Sequence, residues 1–462
     1  MFEIPIYIPI ETKVREYHGK LLLIAHLFKS GFQEYYFGSR TGILQETLYN
    51  NPGIVILKSI EYEQEEYYSL LKKRGFIIIL IHAEGGIYYR DDYKSIISCY
   101  PNNLLKFIDL NFVFGEKIRK TIQSYNNDFA NNNTYITGEP RFDLLKDKYN
   151  IYFDDFADKM IKKYGKYILI NTNFSAGNSI VGKDNSINYI MNNLTITNSF
   201  KLVFIRRMDL TAKLVQDYIE AIKYLAINIP EISLIVRPHP SESEIIYKES
   251  FSNIRNIYVI KEGNVAGWIH GAIGVIHYDC TTGMEAVLSG KPVISYLPRV
   301  DDELLTWLPV KLSKIVTEKD TLLHEITSIL NNEFYYQISD DTIKIWKSYV
   351  HNIDIDAAPI ISDVIKSKCA EAPLILSRNL KKLAIYRIIA YIKKIKKELK
   401  VIYYKFLRCF SKSIRTEFLK KEGTYRIKEV DHDLSKLLDL IGFKCKYRLS
   451  KVSPGVVRIK RF

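Results

Sequence analysis

Short runs of apolar, β-branched residues separated by helical patterns constrain the fold of this chain more than any other feature. Residues 232–236, 273–277 and 293–296 are three such runs, and a segment of helical character separates the last two. A strand, a helix and a further strand at this spacing are typical of a parallel α/β sheet. Residues 76–81 are apolar at every position, as expected of a strand covered on both faces. The sequence therefore predicts parallel sheets flanked by helices.

This alternation runs through most of the 462 residues and is interrupted by a weakly patterned connection at 150–166. Before the connection, strands are predicted at 2–10, 35–38, 53–57, 76–81 and 110–114; after it, they are predicted at 167–172, 203–206, 232–236, 257–260, 273–277 and 293–296. Helices are predicted at 12–30, 322–330, 340–350 and 357–368. We interpret these patterns as one domain at 1–150, a second at 151–368 and an extension at 369–462.

Positive charge is concentrated in the extension. The chain has a formal net charge of +14, and residues 378–421 contribute +13 through fifteen Lys/Arg and two acidic residues. Leu380, Ala384, Ile388 and Tyr391 begin an apolar stripe that repeats every three or four residues. The pattern predicts a basic amphipathic helix that binds an anionic membrane surface or an anionic lipid-linked acceptor. The alternative is a helix packed on the body of the protein.

Several classes of protein are disfavoured by what the sequence contains. The five cysteines have no metal-ligand spacing, so a reduced cytosolic setting and no structural zinc are expected. The N-terminus has no basic region, and Glu11 interrupts its apolar run, so no signal peptide is predicted. No apolar run is long enough for a membrane span. The adjacent pairs Asp91-Asp92 and Asp301-Asp302 fit solvated turns better than a metal clamp.

Polar residues that follow predicted strands define a candidate anion site in the second domain. Arg237-Pro238-His239-Pro240 follows the run at 232–236, and Thr281-Thr282-Gly283 begins a helix after the run at 273–277. Ligands of open α/β sheets bind beyond the carboxyl ends of the strands, and helix N-termini bind anions. Since Arg237 and His239 add positive charge there, the pattern predicts a site for the phosphate of a nucleotide.

Two further residues are candidates for the same site. Glu285 lies one turn into the helix and could reach ribose hydroxyls, although it could also form a capping box with Thr282. Asn173 lies in a polar loop after the first strand of the second domain. It could contact a nucleotide donor, and an ordinary connecting loop explains it equally well.

A second polar motif, His82-Ala83-Glu84-Gly85-Gly86, follows the apolar run at 76–81 in the first domain. The Glu84 carboxylate could accept a proton from an acceptor hydroxyl. Gly85 and Gly86 would allow a ligand to approach closely. The alternative is a solvated turn.

Together, these motifs resemble the GT-B glycosyltransferases of bacterial surface polysaccharide synthesis, in particular the surface carbohydrate biosynthesis protein family. The resemblance covers about residues 1–365 and also rests on Gly138-Glu139-Pro140-Arg141-Phe142-Asp143. The acid-acid-Gly, His-Pro and Ser/Thr elements are similar to those of bacterial sialyltransferases and of transferases of nonulosonic acids or Kdo. The resemblance implies a GT-B fold, with two Rossmann-like parallel-sheet domains facing a crevice, a CMP-activated donor and no metal or other cofactor.

The resemblance also implies roles for individual residues. His239 and Thr281/Thr282 would bind the CMP phosphate, with Arg237 and Gly283 in the same motifs, and Glu285 would bind the ribose. The acid-acid-Gly carboxylate would be the general base. Ala83 stands where the first acid is expected, so Glu84 is the candidate base and His82 the next one. Arg141, Gly85 and Gly86 are further candidate site residues.

The expected function is transfer of an acidic sugar of the nonulosonate or Kdo type from a CMP-linked donor to a glycan acceptor. The expected location is the inner face of the cytoplasmic membrane, with no nucleic acid as partner. One alternative is another enzyme of this fold, either a UDP-sugar 2-epimerase or a glycerol-phosphate transferase. A second alternative is a non-catalytic protein that binds nucleotide sugars, or nucleic acid through its basic tail.

Overall fold

The strands of the protein are short and spread along the whole chain. The computed structural model describes residues 2–82, 92–192, 198–371 and 424–462. In chain order the strands are β1 (Phe2–Ile10), β2 (Phe32–Ser39), β3 (Ile54–Leu57), β4 (Ile77–Ile81), β5 (Leu110–Val113), β6 (Thr134–Ile136), β7 (Tyr167–Asn171), β8 (Ser233–Arg237), β9 (Ile257–Val259), β10 (Gly274–His277), β11 (Val293–Tyr296), β12 (Lys314–Val316), β13 (Tyr447–Ser453) and β14 (Val456–Arg461).

Helices connect most of these strands. They are α1 (Lys13–Lys29), α2 (Arg40–Tyr49), α3 (Glu65–Lys73), α4 (Asp92–Cys99), α5 (Asn102–Leu105), α6 (Glu116–Tyr125), α7 (Asn127–Asn132), α8 (Pro140–Asp143), α9 (Asp147–Asn150), α10 (Asp154–Tyr164), α11 (Lys183–Asn192), α12 (Asn198–Asn228), α13 (Ile245–Ser250), α14 (Val265–Gly271), α15 (Thr281–Leu288), α16 (Trp307–Lys311), α17 (Lys319–Leu330), α18 (Asp340–Tyr349), α19 (Ala357–Glu371) and α20 (Ile427–Leu440). Short 3-10 turns lie at Tyr62–Gln64, Ile151–Phe153 and His351–Ile353.

The described residues form two compact units. The first contains residues 2–82, 96–143, 348–371 and 424–462, and the second contains residues 92–95, 144–192 and 198–347. These limits differ from the predicted boundaries at 150 and 368, because the chain returns to the first unit before α19. The physical reason is that α19 and α20 both pack against α1 of the first unit.

The first unit contains an eight-stranded sheet in the order β13-β14-β2-β1-β3-β4-β5-β6. Strands β1 to β6 are parallel. The central strand β1 is fully buried at Ile6, Tyr7 and Ile8, so apolar residues cover both of its faces. This is the arrangement that the continuous apolar runs of the sequence predict.

The second unit contains a six-stranded parallel sheet in the order β12-β11-β10-β7-β8-β9. Alternate residues of β7 enter two different cores. Ile168 and Ile170 join the core beneath α12, and Tyr167 and Leu169 join the core around Trp268. The predicted class of two parallel-sheet α/β domains is therefore confirmed.

The end of the chain differs from the prediction of a purely helical extension. Strand β14 pairs antiparallel with β2, so the C-terminal hairpin completes the first sheet. The main-chain N–H of Ser39 donates to the Gly455 carbonyl at 2.8 Å, and a Cβ at Gly38 would lie 2.0 Å from the same oxygen. Glycine at position 38 therefore permits the hairpin to approach. The predicted basic helix at 378–421 lies outside the described residues.

One predicted strand is wrong. Residues 203–206 lie within α12, where Leu202 is 74% exposed and Val203 is 42% exposed. Their β-branched character indicated a strand, but the next apolar residues, Met208, Leu214 and Val215 among them, recur at helical spacing and are buried. Packing of that helical stripe on the sheet overrides the local propensity.

Candidate functional site

The second sheet has the geometry of a ligand site at the carboxyl ends of β7 and β10, the two adjacent strands between which the strand order reverses. The sheet runs from β7 toward β8 and β9 on one side, and toward β10, β11 and β12 on the other. Loops after β7 and β10 therefore leave the sheet in opposite directions, which opens a crevice at their carboxyl ends. The Asn173 Nδ2 donates to Asp279 Oδ1 at 3.4 Å, which joins these two loops.

The predicted site residues of the second unit follow three adjacent strands at this edge. Asn173 lies in the loop after β7. Arg237 is the last residue of β8, and His239 lies in the turn that follows. The helix after β10 contains the other four, Thr281, Thr282, Gly283 and Glu285. The structure thus brings them to one edge of one sheet. Their roles in binding and catalysis remain predictions.

His239 is half-buried in the turn after β8, and residues of the same turn hold both its ring and its backbone. The Ser241 main-chain N–H donates to His239 Nδ1 at 3.2 Å, and the His239 main-chain N–H donates to Glu242 Oε2 at 3.3 Å. Because Nδ1 accepts a hydrogen bond, the proton of the neutral ring lies on Nε2. The ring therefore has a defined donor atom that suits a phosphate oxygen.

Glu242 is a functional candidate that sequence reasoning missed. Its carboxylate is fully buried and accepts hydrogen bonds from Thr172 Oγ1 at 2.9 Å, the Phe174 main-chain N–H at 3.1 Å and the Tyr247 hydroxyl at 2.5 Å. Burial is the dominant cause and holds the pKa of Glu242 above its ordinary value, although these hydrogen bonds to the carboxylate reduce the increase. The available signal was an acidic residue three positions after the histidine of the His-Pro motif.

Arg237 is positioned differently from the prediction of a phosphate ligand. Its guanidinium donates to the carbonyls of Glu262 at 2.6 Å and Gly263 at 2.9 Å, and it lies 5.3 Å from the Trp268 ring. Burial lowers its pKa to about 10. These contacts hold the loop after β9, and they give no support to a direct role in nucleotide binding.

The start of α15 lies directly after β10. Its N-cap is Cys280, whose Sγ is 2.6 Å from Thr282 Oγ1, and Thr281 and Thr282 are half-buried. The first N–H groups of a helix have no acceptor within the helix, so they can bind an anion. The suggested capping box with Glu285 is not formed, since Cys280 rather than Thr282 is the N-cap; Glu285 is 3% exposed.

Gly283 has a packing role in this helix. A Cβ at this position would lie 2.4 Å from Nε2 of His277. His277 is fully buried, and its Nε2 is 2.9 Å from Ser313 Oγ. Burial lowers the pKa of His277 to about 3, so this ring is neutral. The glycine therefore allows α15 to begin close to the end of β10.

Asp279 is a second buried carboxylate near this site, and no motif of the sequence indicated it. It is fully buried and accepts from the Thr306 main-chain N–H at 3.1 Å as well as from Asn173. Its position two residues after β10 was the signal that could have identified it. The contacts tie the loop after β10 to the loop after β7 and to the segment before α16.

The candidate residues of the first unit have other surroundings. His82 is buried against Tyr100, with 5.2 Å between ring centroids, and Glu84, Gly85 and Gly86 lie outside the described residues. Arg141 is buried, and its Nε is 3.0 Å from Glu139 Oε2. Arg141 therefore belongs to an internal ion pair of the first unit.

Within 2–82, 92–192, 198–371 and 424–462, no group of three or more His, Cys, Asp or Glu residues is arranged to hold a metal ion. No helix in the same ranges is long and apolar enough to cross a membrane.

Comparison with known proteins gives a fold and no family. No protein-family model and no curated protein matches the sequence. The UDP-GlcNAc 2-epimerase of Methanocaldococcus jannaschii is similar in structure, with a TM-score of 0.50 and 10% identity over 79% of this chain and 100% of that chain. The same enzyme in complex with UDP-GlcNAc and UDP gives a TM-score of 0.50 and 11% identity, with the same coverage.

The wall teichoic acid polymerase TagF is a further similar structure, with a TM-score of 0.46 and 13% identity over 79% of this chain and 89% of that chain. Identities this low show the fold alone. The two parallel sheets together with the similarity to the epimerase show a GT-B fold with two Rossmann-like units, as predicted.

Proposed function

We propose that this protein is a glycosyltransferase whose nucleotide-activated donor binds at the carboxyl edge of the second sheet. One observation carries the proposal: the loops after β7, β8 and β10 meet at the point where the strand order reverses. Hydrogen bonds to Glu242 and Asp279 hold these loops, and the loops carry His239 and the start of α15. This is the place where open α/β sheets bind ligands.

The residues at this edge suit the departure of a nucleotide phosphate. In the transfer, the bond between the anomeric carbon and the phosphate oxygen breaks, and the phosphate takes the electron pair. The acceptor hydroxyl oxygen forms the new bond and gives its proton to a base, for which Glu84 is the candidate. His239 Nε2–H and the N–H groups at the start of α15 would stabilise the charge that develops on the phosphate.

The proposed donor is a CMP-linked acidic sugar of the nonulosonate or Kdo type, and the acceptor is a surface glycan. The His-Pro and Ser/Thr motifs support this donor through their similarity to sialyltransferase-type enzymes. Thermal unfolding with CMP, UMP and AMP tests it, because a ligand at 100 times its Kd stabilises a protein by about 2.7 kcal/mol. CMP should raise the Tm most, and equal shifts for all three nucleotides would remove the case for CMP.

A UDP-sugar 2-epimerase is the second candidate function. The structural similarity to the Methanocaldococcus jannaschii epimerase, which spans all of that chain, favours it. Incubation with UDP-GlcNAc separates the candidates, since an epimerase converts this sugar nucleotide without an acceptor. Release of free UDP or CMP only when a glycan acceptor is added would support the transferase.

We also propose that residues 378–421 recruit the enzyme to an anionic membrane, because they contribute +13 of the net charge. A basic residue near such a surface contributes roughly 1 kcal/mol to binding. The test is an internal deletion of 378–421 that keeps 424–462, since β14 completes the first sheet. The deletion should abolish sedimentation with anionic vesicles and leave CMP binding unchanged. Continued sedimentation would assign membrane binding to another part of the chain.

A further inference from the structure

We infer that Glu242 is the positioning residue of the proposed nucleotide site: its buried carboxylate fixes His239 and joins the His239 turn to the loop after β7. The inference rests on the proposed donor site and adds a residue that no sequence motif identified. Glu242 itself is fully buried, so it acts through His239 rather than on the ligand.

Five groups donate hydrogen bonds to the Glu242 carboxylate. Oε2 accepts from Thr172 Oγ1, the Phe174 main-chain N–H and the His239 main-chain N–H. Oε1 accepts from the Tyr247 hydroxyl and, at 3.5 Å, from Asn178 Nδ2. An ionised carboxylate only accepts hydrogen bonds, so it matches this set of five donors. Buried hydrogen bonds to a charged group are among the stronger ones in proteins.

These contacts connect two loops that carry predicted ligand-binding residues. The loop after β7 contains Thr172, Phe174 and Asn178, together with the candidate residue Asn173. His239 lies in the turn after β8. Backbone pairing reinforces the connection, because the Ser243 N–H donates to the Asn178 carbonyl at 2.8 Å and the Ile180 N–H donates to the Ser241 carbonyl at 3.1 Å. Loss of the Glu242 carboxylate should therefore release the His239 main-chain N–H from the β7 loop, while this backbone pairing keeps the two loops together.

A second set of contacts holds the same turn from the loop after β9. Lys261 Nζ donates to the carbonyls of Pro240 and Glu242, and Arg237 holds the segment that carries Lys261. The turn can therefore stay folded when the Glu242 carboxylate is lost, while the orientation of His239 becomes less defined. This separates a positioning role from a role in overall stability.

The experiment measures CMP binding by calorimetry in the full chain. Glu242→Ala should weaken binding about tenfold to a hundredfold, the scale at which lost positioning affects a site. Glu242→Gln should restore much of it, because the amide oxygen can still accept from His239 while the NH2 group donates to the Tyr247 oxygen. Glu244→Ala is the matched control, since Glu244 pairs with Lys248 near the surface, and it should bind CMP like the wild type.

A double substitution tests whether Glu242 acts through His239. If it does, Glu242→Ala should add little to the loss caused by His239→Ala, because coupled residues are not additive. Full additivity, or wild-type CMP affinity in Glu242→Ala, would overturn the inference. If Glu242→Ala does not fold, Glu242→Asp keeps the charge but shortens its reach, and wild-type affinity in that variant would also overturn it.

Histidine nitrogen NMR gives a readout that does not depend on CMP. The chain has nine histidines, and the His239 signals are those that disappear in His239→Ala. Glu242→Gln or Glu242→Asp should shift the His239 ring signals, and Glu244→Ala should not. If the wild type binds no nucleotide, the proposed function fails, but shifted His239 signals would still support the positioning role. Unchanged signals in both Glu242 variants would refute it.

Discussion

Two fully buried carboxylates, Asp143 in the first unit and Glu242 in the second, each accept hydrogen bonds from several buried donors, but they connect different kinds of segment. Asp143 accepts from Asn352 Nδ2 at 2.7 Å and from the main-chain N–H groups of Ala357 at 2.9 Å and Ala358 at 2.8 Å. Glu242 accepts from loops after β7 and β8. Each carboxylate satisfies several buried donors at once.

The two residues differ in what they connect. Asp143 joins segments more than 200 residues apart in the sequence and accepts from the first N–H groups of α19, where the helix dipole favours a negative charge. It thereby holds the returning chain to the first unit. Glu242 joins two loops at the edge where ligands of such sheets bind. A buried carboxylate that accepts several hydrogen bonds thus stabilises the assembly of the first unit at Asp143 and the geometry of the candidate site at Glu242.

The largest expected effect tests the assembly role of Asp143. Asp143→Ala leaves the Asn352 amide and two main-chain N–H groups without this acceptor, at about 1 to 3 kcal/mol per buried group. We expect urea unfolding to show a loss of roughly 3 to 5 kcal/mol. The control Asp128→Ala changes an exposed aspartate of the first unit and should cost little. A loss below about 1 kcal/mol for Asp143→Ala would contradict the assembly role.

The second largest expected effect concerns turnover and CMP binding, with little change in stability. His239→Ala should slow transfer about a hundredfold, the scale for losing one donor to a developing anion, and it should weaken CMP binding. Its free energy of unfolding should stay close to that of the wild type because the ring is half-buried. His324→Ala, at an exposed histidine of α17, is the control. Unchanged turnover in His239→Ala would place the leaving-group site elsewhere.

Arg237 lies at the candidate site, but its guanidinium donates to the main-chain carbonyls of Glu262 and Gly263, so its substitution should affect stability more than nucleotide binding. Arg237→Lys should lower the free energy of unfolding by roughly 2 kcal/mol, because a single ammonium cannot replace a planar fork that spans several carbonyls. CMP affinity should change little. The control is Arg255→Lys at an exposed position. A large loss of CMP affinity with unchanged stability would show that the guanidinium binds the nucleotide after all.

The sequence predicted the sheet strands well where apolar runs are continuous, as at β1, β4 and β11. It failed at α12, where a β-branched run lies at the start of an amphipathic helix, and at the C-terminal hairpin, whose pairing with β2 is a contact between distant parts of the chain. Local patterns contain no information on such pairing. Nevertheless, the Pro454-Gly455 turn between two short alternating runs was a usable hairpin signal.

The candidate site shows the same limit. Motifs at strand ends placed His239, Thr281 and Thr282 at one sheet edge, because the carboxyl ends of parallel strands share an edge. The periodicity of the sequence could not show that Arg237 donates to backbone carbonyls or that Glu242 accepts from five donors. Both sets of hydrogen bonds depend on how the loops fold over the sheet. The Gly138-Glu139-Pro140-Arg141-Phe142-Asp143 motif likewise holds α19 through Asp143, a role that appears only in three dimensions.

The smallest expected effect concerns pH and a neighbour of Asp143. Burial raises the pKa of the Glu139 carboxyl from 4.5 to about 7, although Arg141 and Lys20 lower it and Asp143 raises it. The folded state therefore holds this proton more tightly than the unfolded state. Protonation stabilises the fold fully below pH 4.5, and this contribution is lost as the pH rises through about 7.

Between these two pH values, Glu139 should reduce the free energy of unfolding of the wild type by about 1 to 3 kcal/mol. Glu139→Gln cannot titrate, so its stability should fall less over the same window, even if loss of the charge beside Arg141 and Lys20 lowers it at every pH. Urea unfolding of both proteins between pH 4.5 and 8 measures the difference in slope. Glu116→Gln, which changes a carboxylate of α6 paired with Lys120 near the surface, should keep the wild-type slope. Parallel curves for the wild type and Glu139→Gln would show that Glu139 stays ionised beside its two cations, and that the ion pair outweighs burial in this part of the first unit.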